Sequence, residues 1–261
     1  MGNKNDFAYL QNYAFYGQAE GLDNMLSHLS RIAEEEIWTF NEADPYSLLK
    51  KYIFGTFRQC YKQNKVIESE DKQYSCFNTG LLSPNGNDII ALFEKNHKPK
   101  VQPWVLKGFK DICDRGFMDI FPQTPPLASY TDNYEELYFN PDWNIVINAD
   151  HILDDNWERI EAVVHMNKNV VKTLLFGVIE EAKRRIKRNI RLVVPQYYRD
   201  EIMYLVPIRI PMANDAYETM ALAVEKTNSS QYRANTIFTK EMAYEKARLL
   251  MKPESNWLIE K

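Results

Sequence analysis

With 261 residues, 45% of them hydrophobic and 26% charged, the chain has room for one large domain or two small ones, and its composition is that of a globular protein rather than a disordered one. A net charge of −4 argues against wholesale wrapping of nucleic acid, and three cysteines (Cys60, Cys76 and Cys113) without a C-x-x-C spacing argue against a disulfide framework or a cysteine zinc site. The N-terminal stretch MGNKNDFAYLQNYAFYG lacks the apolar core of a secretory signal, and Leu174 to Ile179, the longest strongly apolar run, is far too short to span a bilayer, so a cytoplasmic protein with no membrane attachment is expected.

The first twenty residues are polar and aromatic without a clear period and read as a docked arm. From Leu22 the spacing turns helical, with Leu22, Met25, Leu26, Leu29, Ile32 and Ala33 on one stripe. Asp44 as N-cap and Pro45 at the first helical position predict a second helix, whose stripe is Leu48, Leu49, Tyr52, Ile53, Phe57 and Cys60. After Lys65 the texture becomes β: QYSCFNTGLL and DIIALFEKN flank SPNGN, a hairpin signal, and WVLKGF reads as a further strand. Asp111 to Asp142 is irregular and proline-bearing, and WNIVINAD returns to strand. Asp155 to Asn189 is helical with a break near Asn167. IRLVVPQYY, EIMYLVPIRI, TMALAVEK and YRANTIF then predict four strands, with turns at YRDE and TNSSQ. A last helix opens on Thr239 as N-cap and is stopped by Pro253. No internal sequence repeat is visible. The order implies an α+β fold: an N-terminal helical pair (1–65) packed with a mixed, mainly antiparallel sheet and two further helices (66–261), in one compact unit.

The most concentrated chemistry lies between Glu180 and Arg191, where six positive and two negative charges give a local +4, leaving −8 for the rest of the chain. On a helix, Val171, Leu175, Val178, Ile179, Ala182, Ile186 and Ile190 form an apolar stripe, and Lys183, Arg184, Lys187, Arg188 and Arg191 fall on the opposite arc. Such an arc is either a solvated face or a phosphate contact. The second reading draws on the excess of arginine, whose planar fork suits phosphate, and on Tyr197 and Tyr198 nearby as stacking platforms. Asn189 reads as a helix C-terminal cap or as a buried amide.

Three other clusters carry polar groups. Asn78, Thr79 and Gly80 sit inside a predicted strand, where the glycine marks a bulge or a close ligand approach. Asp150 and His151 follow a predicted strand and are the candidates for proton transfer; with Asp154 or Asp155 the histidine could in principle hold a metal, but no spaced His pair supports one and none is expected. Tyr232, Arg233, Tyr244 and Arg248 make either a structural network between sheet and helix or a pocket for an anion. No Walker loop, G-x-G-x-x-G, G-x-S-x-G or kinase signature occurs, and no cofactor is expected.

Taken together, CFNTGLLSPNGNDIIALFEKN, NADHILDDNWERI, AKRRIKRN, VVPQYY, YRANTIFTKEMAYEKARLL and the closing SNWL resemble the bacterial family of unknown function numbered 3825, over roughly Leu29 to Leu258. The resemblance implies RNA-linked work by association, because some members are fused to LOTUS-type RNA-binding domains. It carries no catalytic residue to this chain, and Ala149 and Ala234 depart from the residues expected in relatives. Three readings follow: an RNA- or nucleotide-binding domain, an enzyme acting on a phosphate-bearing substrate, and an interaction module that docks an acidic protein partner or self-associates.

Overall fold

The computed structural model describes residues 4–98, 101–212, 216–227 and 230–259, with side chains from residue 7 onward. The chain divides into two compact units, Met1–Ser129 and Tyr130–Lys261, and the division falls inside the proline-bearing stretch read as irregular.

The first unit opens with α1 (Lys4–Tyr13), where the sequence has no readable period, and a short β1 (Ala14–Phe15). Then come α2 (Ala19–Ile32), α3 (Ser47–Lys62), β2 (Ile67–Glu68), β3 (Tyr74–Leu82), β4 (Asp88–Lys95), β5 (Trp104–Asp111) and the single turn α4 (Phe117–Ile120). The strands form one sheet in the order β1-β5-β4-β3-β2, antiparallel throughout except that β1 runs parallel to β5. Residue alternation sorts the two faces. Phe77, Leu81, Ile89, Ala91 and Phe93 pack with Leu22, Leu26 and Leu29 of α2 and with Leu49, Ile53, Phe54 and Phe57 of α3. Cys76, Ile90 and Leu92 face the other way, onto Phe117 and Phe121. α3 begins later than its sequence signal: Asp44 and Pro45 form a turn, the Asp44 carbonyl accepts from the Ser47 N–H at 3.2 Å, and Tyr46 is the N-cap. The hairpin at Ser83–Asn87 closes as its turn residues demand, with Gly86 at φ +78° and the Ser83 N–H bonded to the Asn87 carbonyl at 2.8 Å.

The second unit contains β6 (Asn144–Val146), α5 (Ala149–Val164), α6 (Lys168–Ile186), β7 (Val194–Tyr198), β8 (Glu201–Pro211), β9 (Tyr217–Lys226), β10 (Gln231–Phe238), α7 (Lys240–Arg248) and the short α8 (Asn256–Ile259). Its sheet order is β6-β10-β9-β8-β7, again antiparallel except that β6 runs parallel to β10. Tyr204, Val206, Ile208 and Ile210 of β8 face the buried stripes of α5 and α6. The alternate residues Met203 and Leu205 face the side covered by α7, whose Ala243, Tyr244 and Ala247 are buried. Thr239 caps α7, its hydroxyl accepting from the Met242 N–H. The centre of the turn expected at TNSSQ, residues 228 and 229, lies outside the described residues.

The α+β class therefore holds, with the strands distributed over two sheets rather than one. The two units also share one chain path: a strand, two helices, four antiparallel strands of which the last receives the first in parallel, then a helix. This repeat of topology has no counterpart in the sequence. WNIVINAD yields only three strand residues, because Asn148 caps a helix instead: its side chain accepts from the His151 N–H at 3.3 Å and α5 starts at Ala149. No helix among the described residues is long and apolar enough to cross a membrane.

Candidate nucleic-acid interface

Asn167 caps α6, and the predicted stripe of Val171, Leu175, Val178, Ile179, Ala182 and Ile186 is buried against the sheet. Ile190 is not part of it. The helix ends at Ile186 with Lys187 as C-cap, and Ile190 stands 39% exposed in a 3-10 turn, Ile190–Leu192. Asn189 is neither a C-terminal cap of α6 nor a buried amide. It is exposed and caps the 3-10 turn, its side chain accepting from the Arg191 N–H at 3.2 Å. The turn is held from behind by the C-terminal segment: Ser255 Oγ donates to the Arg191 carbonyl and Trp257 Nε1 to the Leu192 carbonyl at 2.7 Å.

The six cations of this region fall into two sets. Lys183 meets Glu180 at 3.5 Å, Arg185 meets Glu181 at 2.7 Å, and Lys187 meets Asp142 at 2.7 Å, the contact that holds the Asp142 carboxyl below its ordinary range. Arg184, Arg188 and Arg191 form no ion pair among the described residues; Arg188 Nη1 donates to the Arg184 carbonyl at 2.7 Å, at the end of the helix where a cation complements the dipole. The same outward face carries Phe176, 53% exposed. At 100° per residue Phe176 lies within about 20° of Lys183 and Lys187 and about 80° from Arg184, with about 12 Å of rise between Phe176 and Arg184. Sequence reading passed over Phe176. An aromatic residue off the apolar stripe and in line with basic residues was the available signal.

Tyr197 and Tyr198 do not join this face. As neighbours on β7 they point to opposite sides of the sheet. Tyr197 pairs across the ladder with Ile202, donates to Asp200 Oδ1 at 3.2 Å and meets the Tyr130 ring edge-on at 4.9 Å. Tyr198 lies under the Arg199 guanidinium at 5.2 Å. The two-residue turn between β7 and β8 places Arg199 and Asp200 at φ +54° and +66°, both in the left-handed region that a tight hairpin requires.

Asp150 and His151 are likewise separated by their helix. Asp150 pairs with Lys172, while His151 Nε2 lies 3.6 Å from Asp155 one turn on, in the open, and Asp154 pairs with Lys168. Among the described residues no group of three or more His, Cys, Asp or Glu side chains could hold a metal ion.

Of the remaining cluster, Tyr232 is fully buried and stacks on Phe139 at 4.3 Å, its hydroxyl accepting from the Asn140 N–H at 2.7 Å. Burial pushes this phenol up, the Asn140 bond opposing in smaller measure. Arg233 is exposed and held by Glu225, its cross-strand neighbour, which also accepts from Asn235 at 2.9 Å. Tyr244 and Arg248 are buried on α7, on the other side of the sheet from Tyr232. The four residues therefore serve different layers and do not converge on one cavity. Asn78, Thr79 and Gly80 form a bulge in β3. The Asn78 side chain donates to the Pro125 carbonyl at 3.3 Å and accepts from the Gly80 N–H at 2.9 Å, and Thr79 Oγ1 donates to the Ile89 carbonyl at 2.6 Å.

Searches of curated proteins and of solved structures each return no match. The family described as "Domain of unknown function (DUF3825)" matches residues 29–257, across both units, and the chain belongs to that family.

Proposed function

We propose that the outward face of α6 with the following 3-10 turn is a contact surface for the phosphate backbone of single-stranded RNA. The observation that carries this reading is the unequal pairing of the six cations: three are neutralised by carboxylates, and among the described residues Arg184, Arg188 and Arg191 find none, a local +3 on an acidic protein. A guanidinium left without a carboxylate is available to a phosphate, and the exposed Phe176 ring on the same helix gives a base a surface to stack on. The face is the outside of a helix and not a cleft, so it favours an extended polyanion over a mononucleotide. The expected association of the family with LOTUS-type RNA-binding domains agrees with this reading. A cytoplasmic setting belongs to the same proposal, in keeping with three free thiols. The enzymatic alternative gains less, because Asp150 and His151 are turned to separate partners.

The test is fluorescence anisotropy of a labelled single-stranded RNA at low salt. The double variant Arg184→Glu/Arg188→Glu is expected to lose binding with its circular dichroism unchanged, while Lys107→Glu, on the first unit, binds as the unaltered protein does. Full binding by the double variant would remove the proposal, and equal losses in both variants would reduce it to general electrostatics.

A further inference from the structure

The first unit has a surface feature of opposite chemistry. A depression of about 320 Å³ is lined by Ala8, Tyr9, Asn12, Tyr13, Tyr61 and Pro103. α1 supplies four of these at one-turn spacing, so they share a helix face, and Tyr61 comes from the last turn of α3. Tyr13 is wedged into the core, its ring 5.0 Å from Phe57 and 5.4 Å from Phe93, and Tyr9 packs partly against the same core. Tyr9 and Tyr13 each meet Tyr61 edge to face, with centroids 5.8 Å apart and planes at 64° and 71°, so the three make a corner whose open π-surface is chiefly that of Tyr61, 48% exposed. Trp104 lies behind Tyr13, nearly parallel to it at 6.0 Å.

The electrostatics of this corner favour one sign of charge. No lysine or arginine is among the described residues that line it. Tyr13 shares a hydrogen bond with Ser75, and Glu68 stands opposite Ser75 across the β2–β3 ladder, on the same sheet face. Burial pushes the Tyr13 phenol up; the Ser75 bond opposes this, and the Glu68 charge adds to it. Aromatic faces carry the negative end of a quadrupole and attract cations, most strongly when the cation is poorly hydrated and brings apolar methyl groups into van der Waals contact with the rings. An anion meets no counter-charge among the described lining residues, only neutral phenol hydroxyls and the Asn12 amide. A bare ammonium keeps more of its hydration and fills less of the volume. We infer that the Tyr9–Tyr13–Tyr61 corner is a binding site for a small alkylated ammonium ion, with the Asn12 amide available to a polar group attached to it. This site needs none of the arginines of α6 and stands or falls apart from the RNA proposal.

The experiment is a calorimetric and proton-NMR titration of the whole protein with choline, with its neutral isostere 3,3-dimethylbutan-1-ol, and with adenosine. Choline is expected to saturate and to bind about tenfold more tightly than the neutral isostere, the size of a cation–π preference. Tyr61→Ala abolishes the saturable binding, and Glu68→Gln weakens it. Tyr9→Leu, which keeps apolar bulk but loses the π-face, lowers choline affinity toward that of the isostere, and Arg184→Glu/Arg188→Glu leaves it unchanged. Failure of choline to saturate, equal binding of the isostere, tighter binding of adenosine, or choline binding that survives both Tyr61→Ala and Tyr9→Leu would each overturn the inference.

Discussion

Gly80 sits at φ +73°, and a Cβ there would lie 2.7 Å from the Tyr52 hydroxyl, which itself donates to the Thr79 carbonyl at 2.9 Å. Gly80→Ala therefore meets both a left-handed backbone and a clash, and is expected to cost about 1–3 kcal/mol in urea unfolding. Adding Tyr52→Phe removes the clash but not the backbone term, so the double variant should recover only part of the loss; full recovery would place the whole cost in the hydroxyl. Asn156 is the polar residue that sequence reading missed in the second unit. Buried in α5, it accepts from Thr236 Oγ1 at 2.6 Å, beside the register shift in β10, and its amide donates to the Ile152 carbonyl. Asn156→Ala should destabilise by roughly 1–3 kcal/mol through the hydroxyl it strands, and Thr236→Val added to it should cost little more. The thiols divide as cleanly: Cys113 is exposed, while burial pushes the Cys60 thiol up to about 12 and raises Cys76 as well, so Ellman's reagent should titrate one thiol in the native protein and three after denaturation.

At the scale of the element, α6 shows how an amphipathic helix turns composition into a surface. Its stripe is anchored by six buried residues, while Phe176 and Arg184 away from the stripe are exposed. If the exposed ring stacks on a base, Phe176→Ala should weaken RNA binding about tenfold without altering the unfolding midpoint, since a stacked base contributes about 1–3 kcal/mol; unchanged affinity would confine the interface to the arginines. Long periodic segments such as α2, α3, α6 and the four strands from Val194 to Phe238 were legible because their burial period is written in adjacent residues. α1 was not, because half of its apolar face is tyrosine (Tyr9 and Tyr13 beside Phe7 and Leu10), which reads equally as surface. β6 was overread because Asn148 caps a helix two residues beyond a strand of only three. For the site, the identity of the basic arc was legible. The partition of its charges was not, since Lys187 is neutralised by Asp142, forty-five positions away in the chain. Tyr197 and Tyr198 are split between the two faces of the sheet for a simpler reason, that adjacent strand residues face opposite ways.

In the molecule as a whole, one chain path is used twice with different surface chemistry. The helix that precedes the four antiparallel strands carries Tyr61 in its last turn in the first unit, and Arg184 and Arg185 in its last turn in the second. Both units also bury groups that must stay protonated: Tyr13, Cys60 and Cys76 in one, Tyr204 and Tyr232 in the other, each raised chiefly by burial. The folded state holds these protons where the unfolded chain releases them. Their contribution to stability is therefore complete below the ordinary thiol and phenol values of 9.0 and 10.0 and falls as pH rises beyond them. Urea midpoints should decline from about pH 9 upward, and Tyr232→Phe should flatten that decline in the second unit; a midpoint independent of alkaline pH would contradict the burial of these groups. The salt dependence of RNA binding tests the arginine face most directly. Three guanidinium–phosphate contacts predict a slope of log affinity against log salt of about −2 for a single strand. Arg184→Gln/Arg188→Gln/Arg191→Gln should bring that slope close to zero, and a slope unchanged by the triple substitution would contradict the account.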